Sequence, residues 1–360
     1  MHDLLRSYAV RLATEEDSED ERRAALTRLF DHHLATAAVA MDAFVPADQH
    51  RHPRSIPAPV TQTPPMVGPS EARAWLDAER ATLTAACVYT ASHGWPDHTI
   101  RLATVLSRYL DIGAHYAEAV VIHTHALRVA RHTNDRDGAA HALVDLGSTY
   151  WRQGRYTEAV DCGQQALTVF REIDNRVGQA GALGILGTIY ARQGHYQQAA
   201  EHLLRALTLS QEIGNPSGEA AALGNLGTVY ERQGHYQRAA EHFQIEHLQQ
   251  ALTLFREIGQ RSGEAGALNA LGEAYHAAGE LSEARIQHAA ALDLATEIGD
   301  RHEQAHAHNG LARIHNAIGA TGQARHHWRQ ALTLYINLGV PEADAIRAHL
   351  AALDQPPNGD

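Results

Sequence analysis

Lysine is missing from this chain altogether: all 30 of its basic residues are arginine. That absence excludes a P-loop lysine, a Schiff base and a lysine general base. Cysteine is almost as scarce. Cys87 and Cys162 stand far apart with no CxxC companion, so they cannot build a disulfide framework and read as free thiols of a reducing compartment. Aromatic residues make up only 6%, which suits thin helix-on-helix packing better than a thick aromatic core. No stretch of about 18 apolar residues exists to span a membrane, and the opening MHDLLRSYAVRLATEEDSEDERR lacks the apolar segment of a signal peptide. A cytoplasmic location is the expectation. Positive charge is also in deficit, with 42 acidic residues and a net charge of -12. A phosphate backbone would repel such a surface, so nucleic acid is a poor fit as partner.

What the chain does have is repetition. GALGILGTIYARQGHYQQAAEHLLRALTLSQEIG, from Gly181, aligns with AALGNLGTVYERQGHYQRAAEHF, from Ala221, at an offset of 40 residues. The frame recurs upstream as HALVDLGSTYWRQGRYTEAV from His141 and downstream as GALNALGEAYHAAGELSEAR from Gly266. It decays into AHNGLARIHNAIGATGQARHHWRQALTLY at one end and TVLSRYLDIGAHYAEAVVIHTHAL at the other, giving about six units. Within a unit, Leu143, Leu146, Gly147 and Tyr150 fall on one face of a first helix. Gly154 marks its end, and a second helix from Tyr156 carries Ala159, Ala166, Val169, Phe170 and Ile173. The segments DNRVG, GNPSG, GQRSG and GDRHE read as linkers that turn the chain back. Small residues at one phase, Gly147, Gly187, Gly227 and Gly272 against Ala159, Ala199, Ala239, Ala284 and Ala324, let paired backbones approach closely.

The recurring Leu-Gly, Tyr and Ala positions (Leu146-Gly147-Tyr150-Ala159 and their counterparts through Leu271-Gly272-Tyr275-Ala284) resemble the tetratricopeptide repeat family. The last unit departs from the signature, with Ala312 for glycine and His315 for tyrosine. The resemblance implies an all-α, right-handed superhelical solenoid of antiparallel helix pairs that binds a protein or peptide ligand without catalysing a reaction. It implies no cofactor. Residues 70–340 are expected to form the array, and PEADAIRAHLAALD, residues 341–354, a capping helix over the last repeat. Residues 46–69 hold seven of the twelve prolines and read as an extended linker, preceded by a helical segment over 1–45.

A second resemblance lies at the front. MHDLLRSYAVRLA and the later EARAWLDAERATLTAAC look like the stretch joining the winged-helix end of the NB-ARC module to the repeats in bacterial STAND-type regulators of the antibiotic regulatory protein class. This resemblance implies a sensor or regulatory arm without its ATPase, with a separate or upstream NB-ARC ATPase as partner. A DNA-binding role for the N-terminal helices is a further alternative, disfavoured by the charge.

Four features could carry chemistry. His302-Glu303-Gln304-Ala305-His306 is a formal HExxH, the zinc-hydrolase pattern. The repeat frame, however, puts its start in a linker, and Ala312 stands where a third histidine ligand would be. The pairs His32-His33 and His326-His327 read as surface residues, and His195 and His235 as loop positions. Arg152, Arg192 and Arg232 recur at one repeat phase, either to meet an acidic partner or to complement the ends of their helices. Ser148, Trp151, Thr188, Asn225, Thr228, Glu231, Asn269, Glu273, Asn309 and Arg313 are expected to face the groove, the asparagines holding peptide amides and Trp151 serving as an anchor. One irregularity interrupts the array: EHFQI before EHLQQ inserts five residues between Ala239 and Ala251. Five residues turn a helix by about 500°, leaving its stripe roughly 140° out of phase, so a bulge, kink or hinge is expected near Gln244 to His247.

Overall fold

A computed structural model describes residues 3–46, 56, 63–66, 68–232 and 238–354. Sixteen helices are present among them, without a strand: α1 (Asp3–Glu16), α2 (Glu19–Phe44), α3 (Pro69–Ser92), α4 (Pro96–Ile112), α5 (Tyr116–His132), α6 (Arg136–Arg152), α7 (Tyr156–Glu172), α8 (Arg176–Arg192), α9 (Tyr196–Glu212), α10 (Pro216–Arg232), α11 (Arg238–Glu257), α12 (Arg261–Ala277), α13 (Leu281–Ile298), α14 (Arg301–Ala317), α15 (Thr321–Leu338) and α16 (Glu342–Asp354). The chain divides into two compact units, residues 1–106 and 107–360. Among the described residues no helix is long and apolar enough to cross a membrane.

In the first unit, Ser18 caps α2 through a reciprocal capping box with Glu21. Trp95 is the joint of this unit: its indole N–H donates to Thr27 Oγ1 at 2.9 Å, and the Arg23 guanidinium lies 4.3 Å from its ring. Phe30 meets the same indole edge-on at 5.2 Å, and His98 pairs with Asp31 at 2.8 Å.

In the second unit consecutive helices pack as antiparallel pairs, in the manner of tetratricopeptide solenoids. The first helices of successive pairs also touch each other, α6 on α8, α8 on α10, α10 on α12 and α12 on α14, so they form the inner wall and α7, α9, α11 and α13 the outer layer. The signature glycine has a steric cause. A Cβ on Gly187 would sit 2.6 Å from Leu203 Cγ, and one on Gly272 2.6 Å from the His288 ring; the missing side chain is the socket for the partner helix. Ala159, Ala199, Ala284 and Ala324 are fully buried opposite these sockets.

The segments read as linkers turn the chain in their first two residues, with positive φ at Asp174, Gly214, Gly259 and Gly299, and their last three residues are already helix. Asp135, Asn175 and Asp300 are N-caps whose side chains accept from the backbone N–H three residues on. DNRVG and its counterparts therefore open the first turn of the next helix, and His302 and Glu303 lie inside α14 instead of in a loop. At these same corners the preceding helix ends on a residue with positive φ, such as Asn134 at 58° or Gly214 at 63°, and the N–H five positions on closes back on the helix, as in Asn215 N–H to Ser210 O at 2.8 Å. Exposed pairs tie each repeat together at a fixed separation: Arg136 to Glu172, Arg176 to Glu212, and Arg261 to Glu297.

The five-residue insertion is also absorbed as helix. α11 runs from Arg238 through Glu257, helical across 244–247 where a bulge was expected, and longer than the 17 residues of α9. Added residues that continue a helix leave its backbone hydrogen bonding unbroken. His235 lies outside the described residues.

Candidate functional site

The inner wall is built from half-buried residues of the first helices, one layer per repeat. Ser148 and Trp151 stand on α6, Thr188 on α8, and Asn225 and Thr228 on α10. The two threonines return their hydroxyls to their own helices, Thr188 to Gly184 O at 2.9 Å and Thr228 to Gly224 O at 3.2 Å. Gly184 and Gly224 complete a shallow surface with little side-chain bulk. The side chains of Glu231 and Arg232 lie outside the described residues.

From α12 onward the wall changes character. Asn269 is 0% exposed and fully engaged: its amide donates to Glu303 Oε2 at 2.9 Å, and its oxygen lies 3.0 Å from His288 Nδ1. Asn309 repeats the arrangement one unit later, accepting from Trp328 Nε1 at 3.1 Å. Both asparagines brace helix pairs through their oxygens, and at Asn269 the neighbouring first helix, α14, also takes the amide.

Glu273 and Arg313 belong to an ionic knot with His306. His306 Nε2 lies 2.9 Å from Glu273 Oε1, and Arg313 Nη1 lies 3.6 Å from the same oxygen. Burial alone would raise the Glu273 carboxyl, but His306 and Arg313 outweigh it and hold the group well below the usual carboxylate range. Burial would likewise lower His306, yet Glu273 and Glu303 raise it to about 10. Behind it, burial and the charge of His306 push His288 down to about 3. This arrangement answers the HExxH pattern. A metal ligand must be a neutral imidazole, whereas His306 is held as a cation with its Nε2 turned to Glu273. His302 Nδ1 lies 3.5 Å from Glu303 Oε1, and the other Glu303 oxygen lies 3.8 Å from His306 Nδ1, so the glutamate sits between the two histidines of the motif. Among the described residues no group of three or more His, Cys, Asp or Glu is arranged to hold a metal ion.

The arginine ladder divides into two environments. Arg152 is only 15% exposed at its side chain, pairs with Asp111 at 3.2 Å and lies 4.6 Å from the Trp151 ring. Burial would raise the Asp111 carboxyl, but Arg152 and Arg108 draw it below its ordinary value. Arg192 instead meets Glu342 of α16 at 3.4 Å. The two arginines share a crevice with Trp151, Tyr156, His302, Pro341 and Glu342, with about 10 Å³ of open space, no more than one water needs. The ends of α6 and α8 meet the start of α16 here. Tyr116 of α5 is buried in the same apolar cluster as Trp328, Tyr335, Val340 and Ile346.

Three features escaped the sequence reading. A cleft of about 460 Å³ opens on the outer layer, with Arg131, Arg136, Gln164, Thr168 and Glu172 among its lining residues. His327 is half-buried, its Nδ1 2.9 Å from His308 Nδ1 and its ring stacked on His315, whereas its neighbour His326 is exposed. Crowding by burial and by His308, His315 and His326 lowers His327 to about 4. The Arg192–Glu342 contact joins residues far apart in sequence, and no local pattern announces it.

Comparison with known proteins agrees with this architecture. A family model for the tetratricopeptide repeat matches residues 96–172, 178–244 and 264–337, more than half of the chain. No curated protein matched. Among solved structures, a Rap protein complexed with competence and sporulation factor is similar at 15% identity and a TM-score of 0.55, over 79% of this chain and 83% of that one. A signal transduction ATPase with numerous domains (STAND) carrying a tetratricopeptide repeat sensor, from Pyrococcus horikoshii, is similar at 13% identity and a TM-score of 0.53, over 79% of this chain but only 42% of that one. At these identities the likeness is one of fold. With its stacked helix pairs, its glycine sockets and the family match over most of the array, this chain belongs to the tetratricopeptide repeat family.

Proposed function

We propose that this chain is a non-catalytic scaffold that receives a peptide or protein segment on the inner wall of its repeats. The observation that carries the reading is the wall of α6, α8 and α10, where Ser148, Thr188, Asn225 and Thr228 with Gly184 and Gly224 give a surface of low bulk, with Trp151 and Arg192 at its edge. A wall of this kind suits an extended segment, whose backbone is read by polar groups and whose side chains find apolar anchors. The finer reading is that the chain serves as the sensor arm of a STAND-type regulator, working in the cytoplasm with an NB-ARC ATPase that is separate or upstream. In that arrangement residues 1–45 follow a winged helix, 46–69 link, 70–340 sense and 341–354 cap. Two likenesses of fold support it: the STAND protein with a tetratricopeptide repeat sensor, and the Rap protein solved with competence and sporulation factor.

Selection from a displayed library of random 12-residue peptides tests the scaffold reading. Recovered peptides should lose binding to Thr188→Trp or Thr228→Trp, which fill the wall, and keep it with Val177→Asp, on the exposed side of α8. Enrichment of no peptide, or binding that responds only to Val177→Asp, would refute it. Co-expression with an NB-ARC ATPase and co-purification tests the finer reading.

A further inference from the structure

The crevice at the end of α6 and α8 is filled by the chain's own carboxylate. Arg152 is already committed, with Asp111 at 3.2 Å and the Trp151 ring at 4.6 Å. Arg192 has a different situation. Among the described residues it pairs with Glu342 alone, at 3.4 Å, and both side chains keep about a quarter of their surface, 26% and 29%. That separation exceeds the roughly 2.7–2.9 Å of a strong charge-assisted hydrogen bond. A partly exposed contact at this separation is weak and screened by salt.

Its surroundings are built all the same. Trp151 and Tyr156 wall the crevice, and Pro341 seats on Gly154, where an added Cβ would stand 3.1 Å from Pro341 Cγ. Val340, Ala343 and Ile346 anchor the start of α16 in the apolar cluster that also holds Tyr116. Glu342 can therefore leave Arg192 by rotating its side chain while α16 stays in place. After leaving, it remains in the first turn of α16 with Asp344, a position where the helix dipole favours a carboxylate.

We propose that Glu342 is a built-in stand-in for a ligand carboxylate, and that an acidic segment of a partner docks by displacing it from Arg192 between Trp151 and Tyr156. This rests on the scaffold reading above and names the chemistry of the segment. With the crevice almost full, docking and release of Glu342 are one exchange, so the C-terminal helix sets the threshold for binding. The partner's charged group is a Glu or Asp side chain, since the crevice lies along the edge of the wall and an extended segment passes through it.

Fluorescence anisotropy at low salt tests the exchange with four labelled decapeptides. They are an alternating Glu-Gly sequence with both ends blocked, its Gln-Gly counterpart, a neutral sequence with a free C-terminal carboxylate, and an Arg-Gly control. The Glu-Gly probe should bind wild type weakly, bind Glu342→Ala about fivefold tighter because the competing ion pair is gone, and lose measurable binding to Arg192→Gln. Arg192→Lys should restore part of it, and the circular dichroism and melting midpoint of each variant should match wild type. Equal affinity for wild type and Glu342→Ala, indifference to Arg192→Gln, equal binding of the Gln-Gly probe, or no binding of the Glu-Gly probe would overturn the proposal. Preference for the free C-terminus would also overturn it. If the library selection yields wall-binding peptides without acidic residues, the scaffold reading stands and this proposal alone falls.

Discussion

Helix α8 carries four glycines, Gly178, Gly181, Gly184 and Gly187, and the structure assigns opposite consequences to filling them. An added Cβ on Gly178 would lie 2.3 Å from Phe170 Cδ1 and 2.4 Å from Cε1; on Gly187 it would lie 2.6 Å from Leu203 Cγ and 3.1 Å from Ala199 O. Phe170 and Leu203 are 0% exposed, so neither can swing into solvent to make room. Gly181 and Gly184 meet nothing within 4 Å. Alanine in a helix interior is favoured over glycine by about 0.5–1 kcal/mol, while overpacking a close-packed core costs about 1–3 kcal/mol. Gly181→Ala and Gly184→Ala should therefore stabilise by up to about 1 kcal/mol, and Gly178→Ala and Gly187→Ala should destabilise by about 1–2 kcal/mol. Denaturant titration followed by circular dichroism reads all four against one wild-type curve. If Gly178→Ala and Gly187→Ala raise the midpoint as Gly181→Ala does, the glycines are not sockets and the account of repeat packing is wrong.

Further outcomes follow from the same geometry. His306 is raised from 6.5 to about 10 in the folded chain. The stability it adds is complete below about pH 6.5 and is lost as pH rises toward 10. Its ceiling is about 5 kcal/mol, reduced by solvent because 25% of the side chain is exposed. The wild-type melting midpoint should fall between pH 7 and 9 more steeply than that of His306→Gln; parallel profiles would remove His306 from the knot. Asn175→Ala deletes the cap bond to Gly178 N, 2.8 Å long, and should cost about 1 kcal/mol in denaturant titration. Glu212→Gln breaks a half-exposed ladder pair with Arg176 and should shift the midpoint by no more than about 0.5 kcal/mol; a loss of several kcal/mol would show that the outer ladder bears the stack.

The helical repeat was legible because its determinants are local: Leu146, Gly147 and Tyr150 declare one face of one helix, and copies of that face in successive units declare the stack. The boundaries were harder. Asn175 and Gly178 in DNRVG are turn formers by composition, yet the same asparagine oxygen that favours a turn also caps a helix, and the glycine is there to clear Phe170. The site was legible only as far as each helix can be read alone. Periodicity put Asn269 on the inner face without indicating that Glu303 of the next first helix covers it. Arg192 stood out by its phase in the repeat, but its partner Glu342 comes from the far end of the unit, and no spacing rule connects them. His302 and His306 matched a motif by type; the protonation of His306, set by Glu273 and Glu303, is a property of packing.

The long helix α11 shows where such an array tolerates growth. Among the described residues α11 is three residues longer than α9, about 4.5 Å, and the added length lies in the outer layer while α10 and α12 still touch on the inside. Length can therefore be added or removed at the rim of an outer column without shifting the register of the inner columns. A lineage of such chains could alter its exterior while the inner wall keeps its geometry.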